Sequence, residues 1–570
     1  MRIMNRRSFL KKSVTGFGSA YLLTSPLQLM LGNILSSVFQ RAWALEQGEA
    51  GFLDKKFINV SLSGAASRWM FDLPLRPNGN DAFQYNTIND PRSSMLITKL
   101  NPDPLGPGGF TGEYATFEVG GYHLPVMWGG KIATVGGGTE NMAALAQNML
   151  FMRGIKSVDS HSLGRTLQTK PTGGVSLGGS VADRATTVLP ALSMGAISGT
   201  FKSGKGIVPQ EMPVTDPFTA AFLPFSSAMT LRSNATTTAD AIDAALNVMR
   251  AKAGARHRMV PFTYEDRVNA RKLMTTQFTN LAGAFTDLRN KYLALIGRSM
   301  GEAALRQAGV DDLAVPGSSI GQFRIHNGTT STFYTGTDLS SITDSQTNIG
   351  RLAEMMAVAE FMICGGSYNR SFSSTLHAEL GTVGSAVFDS LTVDSTVSQG
   401  QRLSLITDAH DTGAYIQLIQ FTRYYRALAS CLYELIQRIK AVPSGNGSLF
   451  DKTVIAINSE FSRSARDAGN GSDHGPNGSC YSLISGMIAQ PLVVGNINKD
   501  GGMNGYRGTW GTGSPMVEFT NQQAVVGNAA STVALMLDFP TPTPNNAPFV
   551  NLNASTGKVV STVSRTRNVG

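Results

Sequence analysis

Charge and cysteine are both scarce in this chain. Charged residues make up 15% of its 570 residues, against about a quarter in ordinary globular proteins. Apolar residues make up 42%, so a large core is available and disorder throughout is excluded. The three cysteines, Cys364, Cys431 and Cys480, cannot all pair, which rules out a disulfide framework. Their neighbours are apolar, as in Met362-Ile363-Cys364 and Cys431-Leu432-Tyr433, so they read as small buried hydrophobes. The 61 glycines and 24 prolines show no period, which excludes a collagen-like fibre and leaves many turns. No internal repeat is visible.

Acid is missing altogether from residues 1–44, which hold six of the 48 bases: Arg2, Arg6, Arg7, Lys11, Lys12 and Arg41. The remaining 42 bases face 39 acids. The net charge of +9 is therefore concentrated at the front and gives no basis for nucleic-acid binding. The cluster Arg250, Lys252, Arg256, His257 and Arg258 has no interleaved aromatics and reads as a solvated helix end.

The acid-free front reads as a targeting segment. Asn5-Arg6-Arg7-Ser8-Phe9-Leu10-Lys11 is a twin-arginine consensus, followed by a weakly apolar stretch and by Ala42-Trp43-Ala44 as a small-x-small cleavage site. The expectation is a bacterial chain exported by the twin-arginine translocase to the periplasm or beyond. An uncleaved anchor stays open, although Pro26, Gln28 and Asn33 weaken it as a bilayer span. No later segment has about 18 uninterrupted apolar residues, so no stable membrane insertion is expected of the mature chain.

With 570 residues, the chain exceeds the roughly 250–300 at which one core stops growing. One large domain with insertions, or two domains, follows. Lys56 to Gly64 reads as a first strand ending in small residues, as a strand entering a βα loop would. Residues 139–152 have helical spacing, followed by a strand-like turn at Met152–Ile155. A mainly helical insertion is expected around 237–300, with Thr263 and Asp266 resembling a capping box, and a further helix over 350–363. The last third alternates strand 403–407, long amphipathic helix 412–440 and buried strand 453–459, which reads as a parallel crossover unit. A strand at 491–496 and a helix at 528–537 complete the pattern. The fold class is α/β, with a doubly wound, mostly parallel sheet and chemistry at its strand ends.

Three clusters fall at those ends. Asp408-Ala409-His410 follows one strand, Glu460-Phe461-Ser462-Arg463 the next, and Asp473-His474 lies in a glycine-rich loop beyond. Carboxylate with imidazole is the donor combination of borderline divalent metals. Taken singly, such an Asp-x-His is more often a hydrogen-bonded loop, and Glu460 with Arg463 more often an ion pair. His123, His326, His377 and His257 read as ordinary loop or strand histidines, with His377 in a serine-rich loop.

In order and spacing, these motifs resemble the twin-arginine-exported, sulfatase-like family fifteen-oh-one of the domains of unknown function, in the alkaline phosphatase superfamily. Earlier segments carry the same resemblance: Ser63-Gly64-Ala65-Ala66-Ser67 with Phe71-Asp72, Met152-Arg153-Gly154 with Ser160-His161, and Ser176 to Val181. The resemblance implies an alkaline phosphatase-like domain over 45–570 that hydrolyses phosphate or sulfate esters. It implies a metal pair, with Asp408, His410 and His474 as ligands of one ion and Glu460 in the place of the second ion's acid; zinc is the expected metal, and the departures from the family pattern leave one ion rather than two as the expectation. Ser67 would occupy the region of the attacking hydroxyl. Arg463 or Arg153 would hold non-bridging oxygens, and His161 and Asp473 would line the pocket.

The departures are specific. The first-strand loop reads Gly64-Ala65-Ala66 where an acid belongs, Met70 stands where relatives often have Asp, and Glu460-Phe461 replaces an Asp-His pair. No Cys-x-Pro-x-Arg occurs, which excludes the formylglycine sulfatase type. The alternative is a non-catalytic secreted binding or envelope scaffold that keeps the fold.

Overall fold

The structure is a computed structural model describing residues 55–68, 71–73, 97–100, 112–114, 116–185, 187, 189–195, 200–212, 278–301, 323–327, 330–335, 346–365, 371–380, 382–387, 392–393, 402–406, 408, 414–465, 472–475, 478–494 and 524–561. Nearly all belong to one compact unit, residues 51–218 with 279–570. A second unit, 1–50 with 219–278, falls almost wholly outside the described residues. So do the expected signal segment, the capping box at Thr263 and the basic cluster at 250–258.

In chain order, the elements that position the site are strands β1 (Lys56–Ser61) and β2 (Met149–Ile155), and helices α1 (His161–Thr169) and α2 (Leu177–Ala182). Strands β3 (Leu189–Met194) and β4 (Gln210–Glu211) come next, then helices α3 (Phe278–Gly301) and α4 (Gln346–Ala359). Strands β5 (Ser373–Glu379), β6 (Thr382–Val387) and β7 (Arg402–Ile406) precede the long helix α5 (Ala414–Ala441). The last group is β8 (Thr453–Asn458), β9 (Ser462–Ala465), β10 (Ser472–Gly475), β11 (Ser479–Ile484), β12 (Leu492–Val494) and helix α6 (Val526–Leu537).

Eight of these strands form one sheet in the order β4-β3-β5-β1-β8-β11-β2-β12. Every neighbouring pair is parallel except those made by β11, which runs antiparallel to both β8 and β2. The protein is thus α/β, with a large, mostly parallel mixed sheet. β8 shows why its residues form a central strand. Thr453-Val-Ile-Ala-Ile-Asn458 is buried at every position, the continuous run expected where both faces are covered.

Phe57, Val454, Ala456, Tyr481, Leu483, Leu150 and Met152 pack with Val181 of α2 and with Ala529, Ala530, Val533 and Leu537 of α6 in one core cluster. Each fully buried valine, leucine or methionine side chain there contributes about 1.5–3 kcal/mol. A second set of aromatics joins α5 to the sheet: the Tyr425 ring stacks on Phe71 at 4.7 Å, and Trp128 meets Phe151 of β2 edge-on at 5.9 Å. Cys364, Cys431 and Cys480 are all free and buried, as their apolar neighbours suggested. Among the described residues no helix is long and apolar enough to cross a membrane.

Three expected elements are corrected. Residues 139–152 do not form one helix: Thr139–Asn141 is a short strand, Ala143–Ala146 a single helical turn, and β2 begins at Met149. The apolar run Met149–Ile155 is buried at all seven positions, so sheet burial overrides local helical spacing. The second correction concerns β7, which pairs antiparallel with β6 in a separate two-stranded ribbon. It cannot join β8 because β1 and β11 already hold that strand's two edges. His377, the third, is buried in β5 rather than in a loop. The serines around it are interior groups, with Ser374 Oγ meeting Thr187 Oγ1 at 2.9 Å and Lys56 Nζ at 3.4 Å.

Candidate functional site

The carboxyl ends of the three central strands lie side by side, since Ser61 of β1 is in register with Glu379 of β5 and Asn458 of β8. Just beyond β1 the backbone turns sharply at Gly64 and Ala65, with φ of 88° and 53°. A left-handed alanine costs on the order of 1–3 kcal/mol. That cost is offset by what the turn holds. The Gly64 N–H donates to Glu460 Oε1 at 3.0 Å, and the Ala65 N–H donates to Oε2 at 2.8 Å.

Glu460 follows β8 and has no exposed surface. Its Oε1 also receives Arg165 Nη2 at 3.2 Å and the Ser63 hydroxyl at 3.5 Å, with His161 Nδ1 at 3.8 Å. Burial alone would push this carboxyl up. The nearby His161 imidazole and the hydrogen bonds from the Gly64 and Ala65 amides outweigh it and hold the pKa at about 2. The main chain of Glu460 is fixed as firmly, its carbonyl accepting from Ser157 Oγ at 2.5 Å and Gln168 Nε2 at 3.4 Å.

α1 supplies His161 and Arg165 from one face, four residues apart. It lies so close that a Cβ on Gly164 would stand 2.9 Å from the Glu460 carbonyl oxygen. Arg165 spans two carboxylates, with Nε 2.9 Å from Glu379 Oε1 and Nη2 on Glu460, and it also donates to Ser63 Oγ at 2.9 Å. On the other side of the turn, buried Arg463 donates from Nε to the Ala65 carbonyl at 3.0 Å and from Nη2 to the Gly64 carbonyl at 2.8 Å. The same guanidinium is paired with Asp408.

Asp408, His161 and His474 form the accessible part, at 33%, 30% and 22% side-chain exposure. His161 Nε2 lies 3.4 Å from Asp408 Oδ2. The His474 ring meets His161 edge-on at 4.9 Å and Phe461 at 4.2 Å, while its Nδ1 is bonded to the Asp159 carboxylate.

The structure therefore brings together Asp408, Glu460, His161, His474 and Arg463 from the residues singled out in the sequence. They do not all follow strands of one sheet: Asp408 leaves the β6–β7 ribbon, and His474 sits in β10, paired with β9 opposite Arg463. His410 lies outside the described residues, as does the side chain of Asp473. Arg153 is buried in β2. It is in electrostatic reach of Cys480, whose thiol burial pushes up to about 12. Ser67 is fully buried, and its carbonyl accepts from the Tyr425 hydroxyl at 3.0 Å, so it presents no surface for attack on a substrate. Asp159, Arg165 and Glu379 were missed. The i, i+4 spacing of His161 and Arg165 was the one available signal, because an acid at the end of a buried strand looks like any other.

As a metal ligand, Glu460 does not fit, because both of its oxygens are taken by backbone N–H groups in a site without exposed surface. His474 and Asp408 do fit. Asp159 stands behind Nδ1 of His474, the carboxylate–imidazole arrangement usual behind a metal, and Asp408 is a carboxylate with one oxygen toward Arg463 and the other 3.4 Å from His161 Nε2. Among the described residues no group of three or more His, Cys, Asp or Glu side chains is arranged to hold an ion. Compared with known proteins, the chain matches no family model, no curated protein and no solved structure.

Proposed function

We propose that the protein is an exported hydrolase of phosphate or sulfate esters, of alkaline phosphatase-like type, working with one divalent cation, zinc in the first instance. The observation that carries this reading is the Asp159–His474 pair beside His161 and Asp408 at the carboxyl end of a mostly parallel sheet, where α/β proteins place their chemistry.

Asp408, His474 and His410 would hold the ion. A bound divalent cation supplies a Lewis acid that polarises the ester and lowers the pKa of water. His161 stands where it can exchange a proton with a leaving or attacking oxygen, oriented by Asp408 and Glu460. Arg463 serves as the clamp on Asp408 rather than as a contact to substrate, because it has no exposed surface. Ser67 is not the nucleophile in this reading, and water takes that part.

The test is the metal content of the exported protein together with turnover of aryl sulfates, phosphodiesters and phosphomonoesters before and after chelation. His474→Ala is expected to lose both zinc and turnover. The second reading, a scaffold that keeps the fold without catalysis, draws on the burial of Ser67 and the saturation of Glu460. It is adopted if zinc-loaded parent turns over none of these esters.

A further inference from the structure

We infer that the Ser63–Ala65 turn and Arg165 form a binding cradle for a small oxyanion, and that the side chain of Glu460 is the anion this protein keeps there. An ordinary buried ion pair needs one guanidinium. Here the two carboxylate oxygens are divided between two successive backbone amides, Gly64 N–H on Oε1 and Ala65 N–H on Oε2. A guanidinium and a hydroxyl complete the shell on Oε1. Successive N–H groups converging from a turn with positive φ are the means by which proteins hold phosphate, sulfate and carboxylate groups. Both residues of the turn have positive φ, although the second is alanine. The carbonyls of the same two residues point the other way, into Arg463. The cradle is therefore prebuilt from its back as well as its front.

The occupant arrives from three hundred and more residues away, since Gly64 and Glu460 are separated by 396 positions. Its own backbone is pinned by Ser157 and Gln168. With the side chain removed, the backbone that carries it stays anchored, and the donors of Gly64, Ala65, Ser63 and Arg165 are left facing a space of carboxylate size. A free formate or sulfate is the chemistry that satisfies them. This assignment is independent of whether the protein hydrolyses esters. It does imply that a substrate's anionic group is not held by the Gly64 and Ala65 amides.

The experiment compares thermal unfolding of the full-length parent, Glu460→Gly, Glu460→Gln and the double variant Glu460→Gly with Arg165→Ala, each in sodium chloride, formate or sulfate at matched ionic strength. At ~100 mM anion the Gly variant should gain about 2–5 °C in Tm from formate or sulfate over chloride, by preferential binding to the native state. The parent and Glu460→Gln, whose cradles are filled, should show no such gain, and the double variant should lose it. A Gly variant unmoved by both anions overturns the assignment, as does a gain of equal size in the parent or in Glu460→Gln. If Glu460→Gly does not fold in chloride, recovery of a cooperative transition in formate or sulfate supports the cradle, and failure in both counts against it.

Discussion

Glu460 and Arg463, three residues apart, grip the same two residues: the carboxylate takes the amides of Gly64 and Ala65, and the guanidinium takes their carbonyls. The end of β1 is thereby held to the end of β8 by charge as well as by strand pairing. Helix α1 closes the arrangement through His161, Arg165 and the close approach at Gly164.

That close approach gives a direct test. A methyl group at Gly164 would stand 2.9 Å from the Glu460 carbonyl oxygen and 3.0 Å from its Cβ, and neither backbone nor pinned side chain can give way cheaply. Gly164→Ala should therefore destabilise the protein by about 1–3 kcal/mol, despite the better helix propensity of alanine. Urea unfolding at neutral pH measures it. An unchanged midpoint would mean that α1 is free to move off the sheet.

Acid should weaken the fold in two stages. His377 is buried in β5, accepts from Asn59 Nδ2 on Nδ1, and has its pKa lowered to about 4 by burial and by Arg165. The unfolded chain thus binds this proton at higher pH than the folded one, and stability falls as pH drops from the ordinary value of about 6.5 toward 4. Glu460, held at about 2, adds a second loss as pH falls from about 4.5 toward 2. Each shift corresponds to about 3 kcal/mol at full extent. In urea titrations between pH 7 and 3, His377→Gln should flatten the upper segment and Glu460→Gln the lower one. A parent whose stability is level across both windows would contradict the geometry.

Asp159 should matter to His474 without touching substrate. Replacing it by Asn removes the carboxylate behind the imidazole, and losses of about 10–100-fold in zinc affinity and turnover are expected. Isothermal titration with zinc and ester turnover give the two readouts. Equal behaviour of Asp159→Asn and parent would show that the contact is a surface pair with no part in the site.

Fold and site were legible in the sequence to different depths. β8, α5 and α6 announced themselves because a continuous apolar run or a long amphipathic period leaves one reading. β5 did not, since Ser373, Ser374, Thr375 and His377 look like a loop until Lys56, Asn59 and Thr187 supply their partners. β2 was mistaken for the end of a helix, because its methionines and alanine-rich approach satisfy both periods. At the site, Asp408, Glu460 and His474 were picked out by residue type. What Glu460 binds could not be read, because its partners are backbone amides, which every sequence has.

Export should depend on the front of the chain. Arg6→Lys with Arg7→Lys is expected to leave the protein in the cytoplasm of its host, read by fractionation with the parent as control. Normal accumulation outside the cytoplasm would remove the twin-arginine reading.

The order of strands in the sheet also sets when the chain can fold. Asn59 of β1 meets His377 and Asn458, 318 and 399 positions later, so β1 is made early and both its neighbours much later. At the usual synthesis rate of about 5–20 residues per second, β1 waits on the order of 20–80 s on the ribosome before β8 exists. During that wait the edge of β1 that β8 will pair with has no strand partner, although β5 and the core residues of β2 and α2 are made before it ends. A chain truncated between Glu379 and Thr453 keeps the β8-facing edge of β1 unpaired for good.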